Sequence, residues 1–228
     1  EPHKGLAAMF VMMNSARLGV GMQSLGLAEA ALQNATAYAK DRLQGRSLTG
    51  AKSPDKAADS ILVHPDVRRM LLTSRAYTEA GRALTTWIAL LLDQEESGLD
   101  AEIKKHSEDV VSLLTPVVKA FITDHAFETT NLCLQVFGGH GYIREWGVEQ
   151  YVRDARINMI YEGTNGIQAL DLLGRKVLAD KGERLSVFLK IIGDFIESQK
   201  SNSAMQEFIG PLANLVQTVQ QVTKEIAI

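Results

Sequence analysis

A chain of 228 residues can bury one real core, with little to spare for a second domain of ordinary size. Its 24 Lys and Arg against 27 Asp and Glu leave a net charge of −3 with no dominant basic block, which argues against a nucleic-acid scaffold. The single cysteine, Cys133, excludes an intrachain disulfide framework and a cysteine-based metal site.

From Gly5 to about Leu43, Leu18, Met22, Leu25, Ala28, Leu32 and Ala35 recur at three- and four-residue steps, which predicts one long helix. Gly19, Gly21 and Gly26 weaken such a helix, so close approach of a neighbouring helix is their expected use. The segment from Gln44 to Val63 breaks the periodicity with Gly, Ser, Pro, Asp and Lys and reads as a long loop, a kind usually functional or mobile. His64-Pro65-Asp66 starts a second helix running to about Ser97, with proline in the first turn, where its missing N–H costs nothing. A third helical region runs from Leu99-Asp100 to Phe137, and Pro116 inside it predicts a bend or restart. Gly138 and Gly139 stop it. Shorter helices are expected over Val148 to Met159 and from Thr164 or Asn165 to about Ala179.

Two amphipathic patterns close the chain. Leu185, Phe188, Leu189, Ile192, Phe195 and Ile196 line one face, and Phe208, Leu212, Leu215, Val216, Val219, Val222 and Ile226 line another. The polar linker between them predicts a helical hairpin laid on the preceding bundle. No run combines strand alternation with flanking turns, so the expected fold class is all-α, an antiparallel helix bundle with an added C-terminal hairpin. No apolar run reaches the roughly 18 residues that span a bilayer, and the opening residues lack a signal-peptide layout.

The chemistry-bearing residues cluster between Gln135 and Gln168. Gly138-Gly139-His140-Gly141 is not a dinucleotide fingerprint, because Arg144 stands where the last glycine belongs and a helix precedes it. Glu162, at the break before the next helix, reads either as a positioned base or as a carboxylate favoured by a helix N-terminus. Arg42, at a helix end, suits phosphate through its paired N–H donors, and capping of the helix dipole is the alternative. The Glu-x-x-His pattern of di-iron bundles is missing and no metal site is expected; His125 with Glu128 and His106 read as helix-surface residues, while His140 is kept as a candidate. Cys133, between leucines, reads as a buried, inert thiol.

Two motifs in this stretch, Gln135-Val136-Phe137-Gly138-Gly139-His140-Gly141-Tyr142 and Tyr161-Glu162-Gly163-Thr164, resemble the C-terminal domain of the flavin-dependent acyl-CoA dehydrogenases. The resemblance implies FAD as cofactor and Glu162 as the base that removes the substrate's α-proton. It places Gln135, Val136, Gly138 and Gly139 against the adenine end of a flavin in the neighbouring subunit, Thr164 and Asn165 at its other end, and Gly163 beside the substrate. Tyr38-Ala39-Lys40-Asp41-Arg42-Leu43-Gln44 resembles the family segment whose arginine pairs with the FAD pyrophosphate, which assigns Arg42 and Gln44 to the cofactor. Gly45-Arg46 depart from the Phe-Gly expected next. Met13-Asn14-Ser15-Ala16-Arg17 resembles an acyl-CoA contact segment, assigning Asn14 and Arg17 to substrate, with Asn14 in place of the usual aspartate.

The resemblance implies a domain over residues 1–178 and a helical extension over 179–228, and the long loop and added hairpin are similar to those of a bacterial subgroup. It further implies an acyl-CoA substrate oxidised to the 2,3-enoyl-CoA, an electron-transfer flavoprotein as acceptor, a homodimer or homotetramer, a cytoplasmic location, and no nucleic acid or membrane span. The family's other two domains are not in this sequence, so a piece of an enzyme is expected. A non-catalytic helical interaction module is the alternative that the amphipathic end helices fit equally well.

Overall fold

The computed structural model describes residues 3, 5–97 and 100–227. Seven α-helices are seen among them: α1 (Gly5–Asp41), α2 (Pro65–Glu96), α3 (Ala101–Phe137), α4 (Val148–Asn158), α5 (Asn165–Leu170), α6 (Glu183–Gln199) and α7 (Gln206–Ile226). The described residues hold no strand, and Leu43 and Ser60 form an isolated antiparallel bridge. The chain is all-α, as its periodicities predict.

The helices fall into two compact units, residues 1–89 with 115–169, and residues 90–114 with 170–228. In the first, Ala28, Ala31, Leu32, Ala35 and Ala39 form a buried stripe on α1 at helical spacing. Small side chains let α1 lie close to α4. The core joins this stripe to Ile61, Met70 and Leu71, to Cys133, Val136 and Phe137 at the end of α3, and to Val148 at the start of α4. A side chain such as Met70 or Leu71 contributes roughly 1.5–3 kcal/mol on burial. Three buried hydroxyls, those of Ser24, Thr78 and Thr85, are satisfied within their own helices, each donating to the carbonyl four residues earlier. Cys133 is fully buried, and burial pushes its thiol up to about 11.

The second unit is built on Leu91, Val110, Val111, Leu113, Leu114, Val177 and Ile209. α6 packs on α7, but Phe208, Leu215, Val219, Val222 and Ile226 of α7 are exposed.

Four sequence expectations need correction. α3 is unbroken through Pro116; there is no restart, although the division between units falls next to it, at Leu114 and Thr115. α3 is also long and apolar enough to cross a bilayer by length and composition; 61% of that apolar window is buried, as in the central helix of a bundle. The fifth helix changes character after Leu170 and continues as a π-helical stretch, Asp171–Leu178, with Ala179 N–H donating to the Gly174 carbonyl. Of Gly19, Gly21 and Gly26 only Gly21 meets a neighbour, with Val118 of α3 at 3.4 Å from where a Cβ would stand; Gly19 and Gly26 face open space.

The loop after α1 is organised rather than loose. Asp59 is fully buried and accepts from the backbone N–H groups of Ser47 (2.9 Å), Lys52 (2.9 Å) and Ser53 (2.7 Å), with Arg46 Nη1 at 3.4 Å. The Ser47 N–H first, then those of Lys52 and Ser53 and the Arg46 guanidinium, hold its carboxyl down at about 2 against the opposing effect of burial.

Candidate functional site

The end of α4 is tied to α1 by a chain of polar groups. Asn158 Nδ2 donates to Ser24 Oγ (2.7 Å), and the Tyr161 hydroxyl lies 2.6 Å from Gln23 Oε1 and 2.9 Å from Asn158 Oδ1. The turn that follows is left-handed at two successive residues, Glu162 (φ 53°) and Gly163 (φ 86°). Glycine takes this conformation freely, whereas a glutamate does so at a cost of about 1–2 kcal/mol. The half-buried Glu162 is therefore held in place by its surroundings.

Those surroundings are specific. Gln168, 1% exposed on α5, donates through Nε2 to the carbonyls of Gly163 (3.0 Å) and Glu162 (3.3 Å). Thr164 Oγ1 accepts from Ile167 N–H at 3.3 Å and opens α5. Asn165 is clamped to α3: its Oδ1 accepts from Lys119 Nζ (2.9 Å), and its Nδ2 donates to Asp124 Oδ1 (2.7 Å) and Thr123 Oγ1 (3.0 Å). Lys119 is a fully buried cation. Burial lowers its pKa to about 8, Arg17 adds to the lowering, and the negative charges of Asp124 and Glu162 oppose it. Arg17, buried on α1, and Glu162 thus act on the same ammonium group, whereas Asn14 is exposed on α1.

A second constellation lies at the other motif. Arg42, Gln44, Gln135, Val136, Gly138 and Gly139 line one groove of about 630 Å³, together with Tyr38, His64 and His140. Glu162, Thr164 and Asn165 are not among its lining residues. Tyr38 stacks on Phe137 at 4.2 Å, and its hydroxyl lies 2.9 Å from His140 Nδ1; His140 in turn stacks on Trp146 at 4.9 Å. Val136 gives its side chain to the core and can offer a ligand only its backbone. Gln44 is fixed through its main chain, with N–H on the Asp59 carbonyl at 2.9 Å and C=O 2.8 Å from His64 Nε2. The groove fits one end of a phosphate-bearing, planar ligand such as FAD: the Arg42 guanidinium is exposed, Gly138 (φ 59°) has open space where a Cβ would stand, and aromatic rings form one wall.

A larger groove of about 910 Å³ runs along α1 and α2, bordered by the Arg82–Glu29 pair, and is lined by none of the residues assigned to cofactor or substrate. No three His, Cys, Asp or Glu side chains among the described residues are grouped to hold a metal. His125 is half-buried, stacked on Tyr77 at 4.0 Å, rather than a plain surface residue. Sequence reasoning missed Lys119 and Gln168. A lysine inside the apolar run Val117-Val118-Lys119-Ala120-Phe121 was the available signal for the first, and nothing local marks the second.

Residues 3–178 match the family described as Acyl-CoA dehydrogenase, C-terminal domain. The chain is 46% identical over 214 residues to 3-methylmercaptopropionyl-CoA dehydrogenase of Ruegeria pomeroyi, covering 93% of this chain and 36% of that protein. It is 37% identical over 226 residues to the broad-specificity linear acyl-CoA dehydrogenase FadE5 of Mycobacterium tuberculosis, covering 96% and 36%. The structure of butyryl-CoA dehydrogenase from Megasphaera elsdenii aligns with a TM-score of 0.61 at 29% identity over 76% of this chain and 39% of that one. Caenorhabditis elegans ACDH-11, solved in complex with C11-CoA, aligns with a TM-score of 0.84 over 97% of this chain and 35% of that one; at 22% identity it speaks for the fold alone. The chain spans little more than a third of the curated relatives it matches, and on that stretch it belongs to the acyl-CoA dehydrogenase family, whose C-terminal domain it is.

Proposed function

We propose that this chain is the C-terminal part of an FAD-dependent acyl-CoA dehydrogenase that oxidises an acyl-CoA thioester to the 2,3-enoyl-CoA, with Glu162 as the base for the α-proton. The observation that carries the reading is the immobilised left-handed turn bearing a half-buried carboxylate within the electrostatic reach of Lys119, a buried ammonium that also feels the buried Arg17. A base must be held still in front of the proton it removes, and here the backbone of the turn is fixed rather than part of a mobile loop.

In this reading Glu162 takes the α-proton, the pair left on the α-carbon becomes the double bond, and a hydride leaves the β-carbon. FAD, when bound, supplies the acceptor for that hydride, which no side chain can be. Gly163 presents backbone without a Cβ to the substrate, and Asn14 and Arg17 serve the acyl-CoA side. Arg42, Gln44, Gln135, the Val136 backbone, Gly138 and Gly139 hold the adenine and phosphate end of the cofactor. Thr164 and Asn165 serve its other end. Residues 179–228 form a helical extension to the domain, the natural acceptor is an electron-transfer flavoprotein, and the intact protein is a cytoplasmic homodimer or homotetramer.

Glu162→Gln in the intact flavoprotein tests the assignment, since it keeps the shape and removes the base. Flavin bleaching by acyl-CoA should slow by about 10² or more; an unchanged rate refutes it.

A further inference from the structure

Glu162 and Gly163 are consecutive left-handed residues, and no hydrogen bond within the tetrapeptide Tyr161–Thr164 accounts for that conformation among the described contacts. The carbonyls of both residues instead converge on one group, the Gln168 carboxamide, whose NH₂ carries two hydrogens and can serve two acceptors. The fit is close. A Cβ on Gly163 would stand 2.7 Å from Gln168 Nε2, so the amide occupies the space that glycine leaves open. Gln168 is itself buried on a helix whose first residue, Asn165, is clamped by Lys119, Thr123 and Asp124 of α3.

From this geometry we propose that Gln168 is a positioning residue for Glu162: its side-chain amide holds the backbone of the turn in the left-handed form that aims the carboxylate. The inference rests on the reading of Glu162 as the base. Gln168 touches neither substrate nor cofactor in this account, and acts through the main chain of its neighbours. Near-attack geometry is steep enough that a displacement of about 1 Å costs up to about 10²-fold in rate. Loss of one pinning group should fall short of that, near tenfold.

The test follows flavin reduction by acyl-CoA in single turnovers of the intact flavoprotein, comparing Gln168→Met, Glu162→Gln and the double variant. Gln168→Met removes both N–H donors at similar size. Reduction should slow about tenfold while apparent acyl-CoA affinity changes less than about twofold, as expected when an interaction serves the transition state alone. Added to Glu162→Gln, the same substitution should cost little more, because its effect passes through the base. A full tenfold loss in both backgrounds, or no loss in either, overturns the proposal. Failure of the underlying reading is separately visible as an undiminished rate in Glu162→Gln alone.

Gln168→Glu covers the case in which methionine prevents folding. It has the same shape and keeps one O–H donor when protonated, so its rate relative to the parent should recover as pH falls from about 8 to about 6, the range in which buried glutamates titrate. A ratio that stays flat across that range overturns the role. Amide hydrogen exchange over residues 162–165 of the same protein, without substrate, should quicken in Gln168→Met while α4 is unchanged; unaltered exchange also overturns it.

Discussion

Replacing Gly141 by alanine puts a methyl group where the turn after α3 has no room. Its Cβ would lie 2.4 Å from the Leu134 carbonyl oxygen and 2.9 Å from Phe137 Cβ. Carbon and oxygen settle at roughly 3.3 Å even in weak C–H···O contacts, so the two must part by about 1 Å. Neither obstacle is the free end of a flexible chain: one is backbone in the last turn of α3, and the other belongs to a core residue. Overpacking of this kind costs about 1–3 kcal/mol, and contact with main chain puts Gly141→Ala near the top of that range. For a chain of this size about 1 kcal/mol moves the melting temperature by roughly 2–4 °C, which gives a drop of about 6–12 °C in thermal unfolding followed by circular dichroism. The neighbouring glycines are the controls. Gly138→Ala meets no atom but must hold φ 59°, at a cost of about 1 kcal/mol. Gly139→Ala meets no atom and has no left-handed φ, and should stay within about 0.5 kcal/mol. If Gly139→Ala proves as damaging as Gly141→Ala, the steric reasoning is wrong and the turn is held by something else.

Two further outcomes are expected. Because the folded Asp59 carboxyl is held at about 2, below its ordinary 3.8, its contribution is complete above about pH 4 and is lost as pH falls through the interval down to about 2; Asp59→Asn should flatten acid sensitivity there while lowering stability at neutral pH, and an unaltered acid profile contradicts this. Calorimetric titration of the 228-residue chain with FAD should show little binding, because Arg42, Gln44, Gln135, Gly138 and Gly139 in the groove are exposed and ligand sites usually cover about 70% or more of a ligand; micromolar affinity would show that the helical domain carries the cofactor site unaided.

The long helices were legible because a 3.6-residue period is written locally: α1 and α2 end within two residues of where Leu43 and Ser97 were expected to close them. The segments around Arg42 and Gly138-Gly139, each readable on its own as phosphate-compatible chemistry, line one groove. What stayed hidden depends on distant pairing. Lys119 is tolerable in the interior only because Asn165 arrives to accept its proton donor, and Asp59 looks like one more charge in a polar loop until three backbone N–H groups converge on it. Pro116 misled in the opposite direction on one of its two readings, the restart. Its local preference for a break was overridden, for the helix around it is fixed by the burial of Leu113, Leu114 and Val118.

Cys133 lies at the middle of the first unit's core and is the chain's sole thiol. A thiol-directed reagent is refused there twice, by lack of access and by a proton held until about pH 11. Labelling can then proceed only through opening of that core, and each attached label records one such event. The first unit therefore carries its own clock for measuring how often its core opens, with no mutation needed to install it.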